Sequence, residues 1–363
     1  MSTRTTEVAP RAGGDRIAYL IDPGFPGGTS GAVAAELAAA AAVGRVEVHF
    51  VRTGLFGDGT PSPDIEDALA DLGLRPVVGA ASVSADLVVV HNPTFLRAPA
   101  LTLPRIVARR LVAVTHENLY QPDDRPSFDV GLALNRLDRA TVALDRVLAP
   151  VSPANRRTVK TWLARDGRGG PWHLDDEDWP NLFDLPHLPP PARPRDRRGR
   201  LSRPGLEKFP ALDTLDLCFP PHAEANVILG ADALIEAGAG AARPHWTLIP
   251  FRGLDRDAFF EQVDVLIHFT APTFRESYGR VLAEATAAGK LVVTDPDTAR
   301  PFGPGVIATD PAGVDAAVTD ALADPVTYAR RVRAAQAAIA TLTPDAFRAR
   351  IAAALSPAGE VAA

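Results

Sequence analysis

Long apolar runs that end abruptly in polar residues constrain this chain more than any other feature. Residues 86–93 read Asp-Leu-Val-Val-Val-His-Asn-Pro, and residues 111–118 read Leu-Val-Ala-Val-Thr-His-Glu-Asn. Residues 17–21, 46–51, 147–152, 265–269 and 291–293 are shorter versions of the same pattern. Near-continuous apolar strands are those buried on both faces, as in parallel sheets covered by helices. Helical spacing fills the gaps: an Ala-rich stretch at 32–42, then 65–72, 128–144, 155–163 and 257–262. Strands alternating with helices through both halves predict an α/β chain with two doubly wound parallel sheets. In such sheets ligands bind at the carboxyl ends of the strands.

The chain has 363 residues, enough for two domains rather than one. We read 1–14 as a disordered leader, 15–164 as a first Rossmann-like domain and 165–196 as a Pro- and Arg-rich linker. A second domain follows at 197–342, and 343–363 form a final helix and tail. The linker contains Pro186, Pro189, Pro190, Pro191 and Pro194. The basic run Arg193, Arg195, Arg197, Arg198, Arg200 and Arg203 beside it reads as mostly solvated.

Lys and Arg number 38 against 44 Asp and Glu, so no basic excess exists to neutralise nucleic-acid phosphates. The single cysteine, Cys218, cannot form an internal disulfide, which fits a reducing cytosol. The N-terminal sequence lacks the apolar core of a signal peptide, and no run reaches membrane-spanning length. We therefore expect a cytoplasmic protein, with peripheral contact at the inner face of a membrane left open.

The chemistry concentrates at residues 274–294. Glu276 and Glu284 stand eight apart, the second inside an Ala-rich helix that Gly289 closes. Ser277, Tyr278 and Gly279 precede that helix, where backbone N–H groups lack intrahelical acceptors and attract phosphate. At the usual rise, the two carboxylates lie about 12 Å apart along the axis. That arrangement fits a nucleotide-sugar, with phosphate on the amides, ribose at Glu284 and the sugar at Glu276.

The stretch stands as E-S-Y-G-R-V-L-A-E-A-T-A-A-G-K-L-V-V-T. It resembles the signature E-S/G-F-G-x-x-x-x-E-A-x-A-x-G-K-P-V-V-x-T of retaining GT-B glycosyltransferases, with Leu291 in place of the usual proline. The resemblance implies two Rossmann-like domains facing a cleft, with a C-terminal helix crossing back to the first. It further implies a nucleotide-sugar donor, a sugar, glycan, lipid-linked or small-molecule acceptor, and neither cofactor nor metal. By the same resemblance His116 contacts the donor sugar, while Gly27 and Gly28 border the donor phosphates and acceptor. Arg200 and Lys208 hold the diphosphate, although Lys208 falls eight after Arg200 rather than the family's five. Phe251 and Arg252 are candidates for stacking the base. His91, at the end of a similar strand, has weaker support. A non-catalytic protein of this fold and a sugar-nucleotide epimerase are the alternatives; a glycogen-type phosphorylase would need a pyridoxal-binding lysine that cannot be identified.

Overall fold

The structure is a computed structural model and describes residues 14–25, 27–57, 59–183 and 185–356. Most of the leader read at 1–14 lies outside the described residues. The first sheet comprises β1 (Arg16–Ile21), β2 (Arg45–Phe50), β3 (Val77–Val78), β4 (Ser82–His91), β5 (Arg105–Thr115), β6 (Thr141–Pro150) and β7 (His173–Leu174). The second comprises β8 (Arg197–Leu201), β9 (Ala225–Leu229), β10 (Trp246–Ile249), β11 (Val265–His268), β12 (Leu291–Thr294) and β13 (Ile307–Ala308). The strand orders are β3-β2-β1-β4-β5-β6-β7 and β10-β9-β8-β11-β12-β13, with every pairing parallel. Each order reverses direction once, between β1 and β4 and between β8 and β11. Those two reversals open a crevice at the carboxyl ends of the strands, which is where ligands bind in doubly wound sheets.

Local chemistry sets the element boundaries. Gly27, at φ 63°, turns the chain from the β1 loop into the Ala-rich helix Gly28–Ala41. Ser152 caps the helix Pro153–Arg165 by accepting from the Asn155 N–H, with proline in the first turn, where its missing N–H costs nothing. Gly289, at φ 77°, terminates the helix Arg280–Ala287, and a Cβ there would come within 2.6 Å of the Pro189 carbonyl oxygen. Both the backbone angle and the close approach therefore require glycine at this position.

Two sequence expectations need correction. The helix expected through 144 ends at Ala140, and residues 141–144 already belong to β6, paired with β5 from Ile106. Helical spacing of leucines persists across this join because Leu144 is surface-exposed and contributes nothing to the core. The basic run is only half solvated: Arg193, Arg195 and Arg203 are exposed, whereas Arg197, Arg198 and Arg200 are not. Arg197 pairs with the buried Asp264 at 2.8 Å. Arg198 is fully buried and pairs with Asp196 at 2.6 Å and Asp315 at 2.7 Å. These residues form β8, at the centre of the second sheet.

The stretch read as a linker is packed along much of its length. It contributes β7 and buries Trp172, Trp179, Leu182 and Phe183. One apolar cluster runs from the first sheet through Trp179, Phe183 and Tyr278 to Leu229 and Leu266 of the second domain. The other face of the second sheet has its own cluster around Phe219, Trp246 and Tyr328. The final helix, Pro344–Leu355, crosses back to pack on Gly28–Ala41, with Phe347 edge-on to Trp179 at 5.4 Å. Among the described residues no helix is long and apolar enough to cross a membrane.

Candidate active site

The crevice between the sheets is a cleft of about 610 Å³. From the first domain it is lined by Gly27, Gly28 and Thr29 after β1, Asn92 after β4, and His116, Glu117 and Asn118 after β5. From the second domain come Arg203 and Lys208 after β8, Phe251 after β10, His268 at the end of β11, and residues 274–281 with Glu284. Of the two strand-end histidines, His116 lines the cleft, while His91 is buried behind it with its Nδ1 2.9 Å from His116 Nε2.

At the floor, Lys208 Nζ donates to Glu276 Oε1 at 2.6 Å, and His268 Nε2 lies 3.2 Å from the same oxygen. Burial alone would push the Glu276 carboxyl up. The Lys208 charge and the hydrogen bond from His268 outweigh it and hold the carboxyl well below the usual carboxylate range. Burial lowers the Lys208 ammonium from its ordinary value, with Glu276 opposing that shift. The ammonium also sits 4.3 Å over the Phe274 ring. Glu276 is thus a committed anion inside a mostly cationic wall formed by Arg203, Lys208, Arg256, Arg275 and Arg280.

Beside this pair the chain turns into the helix Arg280–Ala287. Among the described residues, the N–H groups of Ser277, Tyr278 and Gly279 donate to no protein acceptor. The segment carrying them is nevertheless fixed. The Ser277 hydroxyl accepts from the Asn118 N–H at 3.1 Å, its carbonyl accepts from the Ser152 hydroxyl, and Asn118 Nδ2 donates to the Arg275 carbonyl at 3.0 Å. The Tyr278 ring is buried between Phe183 and Phe302. Three free amides on a rigid loop, at a helix N-terminus, form a ready anion site.

Glu284 lines the cleft one helix face further on. Its Oε1 accepts from Arg280 Nε at 2.9 Å, and Arg256 lies 3.9 Å away. Arg280 spans the domains: its guanidinium lies 5.2 Å over Phe183, and a Cβ on Gly31 would come within 2.5 Å of its Nη1. Phe251 is half-exposed at the cleft edge, with the Arg252 guanidinium 5.6 Å from its ring.

Arg200, expected to clamp a diphosphate, does not line the cleft. Its side chain is buried behind the wall, stacked 4.8 Å from Phe209 and donating to the Lys208 carbonyl. Burial lowers its guanidinium to about 10, against the pull of Glu276. The longer spacing explains the exchange. After β8 the chain loops through Gly205 and a short turn, Leu206–Lys208, which carries Lys208 forward into the cleft and folds its own backbone over Arg200. Sequence reading also passed over Glu117, Asn118, His268 and Arg280. His268 ends an apolar run just as His91 and His116 do, so the same signal was present. Burial raises the Glu117 carboxyl, opposed by the nearby Thr94 hydroxyl and by the charges of Arg97, Arg203 and Lys208.

The sequence matches no protein-family model and no curated protein. The fold does have solved counterparts. HepE from Anabaena, crystallised with UDP and glucose, superposes with a TM-score of 0.65 at 17% identity, covering 94% of this chain and 99% of that one. Sucrose-phosphate synthase from Thermosynechococcus elongatus gives 0.59 at 15% identity, covering 93% and 98%. A glycosyltransferase from Rickettsia africae gives 0.58 at 11% identity, covering 96% and 100%. The chain therefore has the GT-B fold over nearly its whole length, as its sequence implied.

Proposed function

We propose that this chain is a retaining glycosyltransferase that moves a sugar from a nucleotide-sugar to a sugar, glycan, lipid-linked or small-molecule acceptor. The observation that carries the reading is the row of unclaimed amides at Ser277, Tyr278 and Gly279 beside the Lys208–Glu276 pair. Together they offer donors and a cation to a diphosphate whose negative charge grows as the sugar leaves. Preorganised donors of this kind need no reorganisation at the moment of transfer. Lys208 and the amides take the leaving diphosphate, and Glu276 faces the positive charge that develops on the sugar ring. Glu284 binds the ribose, Phe251 packs on the base, His116 contacts the donor sugar, and Gly27 and Gly28 border the acceptor. The likeness to HepE, crystallised with UDP and with UDP-glucose, supports this donor class.

Thermal unfolding with UDP-, GDP- and ADP-sugars tests the reading. A donor at about 100 times its Kd adds about 2.7 kcal/mol of stability. We expect one nucleotide class to raise the midpoint, with slow donor hydrolysis accompanying it. Turnover should persist in EDTA, because Lys208 and the amides supply the charge a divalent ion would otherwise bring. Stabilisation by no nucleotide-sugar overturns the reading, and binding without hydrolysis or transfer favours a non-catalytic protein of this fold.

A further inference from the structure

Gly31 lies inside the helix Gly28–Ala41, where nothing local asks for glycine. Its backbone is ordinary helix rather than left-handed, and alanine is the better helix former. The reason lies across the domain boundary. A Cβ at Gly31 would come within 2.5 Å of Arg280 Nη1, 2.9 Å of its Cζ and 3.0 Å of its Nη2, and these are the three nearest atoms. One turn earlier, a Cβ at Gly28 would stand 3.4 Å from Arg280 Cδ. The side chain of Arg280, from the second domain, therefore seats in a notch that two glycines of the first domain leave open.

Helix stability does not account for Arg280. It is the first residue of Arg280–Ala287 and sits against the first turn of Gly28–Ala41, so its charge opposes the dipole of both helices. Arginine four residues before glutamate is also the weaker order for such a pair. Its Nη1 is buried without a hydrogen-bond partner. What Arg280 does hold is Glu284, whose Oε1 accepts from its Nε at 2.9 Å. The guanidinium lies 5.2 Å from the centre of the Phe183 ring, and Phe183 stacks on Tyr278 at 5.8 Å, beside the row of free amides. Gly28, Arg280 and Glu284 all line the one cleft. We propose that Arg280 is a positioning residue: it fixes the Glu284 carboxylate for a nucleotide ribose and takes its own bearing from the Gly28–Gly31 turn, so that nucleotide affinity depends on the first domain lying against the second. The proposal rests on the glycosyltransferase reading only for placing ribose at Glu284.

Gly31→Ala tests this from the far side of the cleft. Alanine suits the helix, so the fold should hold and the flexible end of Arg280 should yield instead. Calorimetry with UDP, GDP and ADP gives the affinity of whichever nucleotide wild type binds. That affinity should fall at least about fivefold in Gly31→Ala and in Arg280→Ala, and the two changes together should do no more than Arg280→Ala alone. In a Glu284→Ala background Arg280→Ala should cost less than about twofold, because the carboxylate it positions is gone. In turnover, donor KM should rise while kcat holds. A folded Gly31→Ala protein with wild-type affinity overturns the proposal. So does an Arg280→Ala loss that persists undiminished beside Glu284→Ala, which would make Arg280 a direct ligand contact; this arm decides the matter even where Gly31→Ala fails to fold. Wild type that binds none of the three nucleotides sinks the glycosyltransferase reading and the positioning role with it. Binding that neither substitution weakens sinks the positioning role alone.

Discussion

Glu276→Gln separates a working carboxylate from an ornamental one, because the structure ties it to two measurable quantities. The change keeps the shape of the side chain and removes its charge. Lys208 Nζ then loses the carboxylate 2.6 Å away while its side chain stays 9% exposed, with only the Phe274 face, at 4.3 Å, in compensation. Leaving one partner of a buried pair uncompensated costs about 3–5 kcal/mol, and the residual exposure here puts the expected loss near the lower figure, about 3 kcal/mol. Urea unfolding of wild type, E276Q, Lys208→Met and the double variant would give the coupling, expected to be at least about 1 kcal/mol. Because the folded Glu276 carboxyl titrates below its unfolded value, this stabilisation is complete above about pH 4.3 and fades as acid protonates the folded form. The gap between wild type and E276Q should therefore close on acidification. In the transfer assay kcat should fall at least about 100-fold, roughly 2.7 kcal/mol, with donor KM little changed, because the charge it faces appears only during transfer. Single-variant losses that add to within about 0.5 kcal/mol, together with near-wild-type kcat, would refute both the pairing and the role.

Three further substitutions distinguish the parts of the cleft. Lys208→Ala should weaken nucleoside-diphosphate affinity about 10- to 100-fold, the equivalent of one charged hydrogen bond of roughly 1.5–3 kcal/mol, and unchanged calorimetry would place it outside the phosphate site. Glu284→Ala should mainly raise donor KM, as expected when ribose is held equally in ground and transition states; a loss confined to kcat would contradict that. Arg200→Ala should instead lower stability by about 1–3 kcal/mol, since it strands the buried Lys208 carbonyl, and leave nucleoside-diphosphate affinity near wild type. A folded Arg200→Ala protein with tenfold weaker binding would show that Arg200 reaches the ligand after all.

What the sequence disclosed of this site was what lies close together along the chain. Glu276, the three amides and Glu284 fall within nine residues, and their geometry follows from one turn and one helix. The strand ends carrying His116 and Gly27–Gly28 were legible because a parallel sheet delivers its carboxyl ends to one edge. Arg200 was misplaced because strand residues alternate between faces, and the sequence does not say which face turns to the ligand. The insertion before Lys208 then decides which cation emerges. Arg197 and Arg198 look like surface charge until Asp264 and Asp315 arrive from 67 and 117 residues away.

The same limit governs the chain behind His116. Glu36 sits in an Ala-rich helix, where a lone glutamate reads as solvent-facing, and Trp179 sits in a proline-rich stretch that reads as loose linker. Neither carries a local signal. They acquire meaning only when the final helix crosses back and packs Phe347 against Trp179, closing the first helix over β4. A buried carboxylate is costly unless it finds partners; one Glu36 oxygen accepts from the Trp179 indole N–H, and the other lies 2.9 Å from His91 Nε2. The crossing helix therefore joins the domains and also closes the buried row of Glu36 and His91 that stands behind His116.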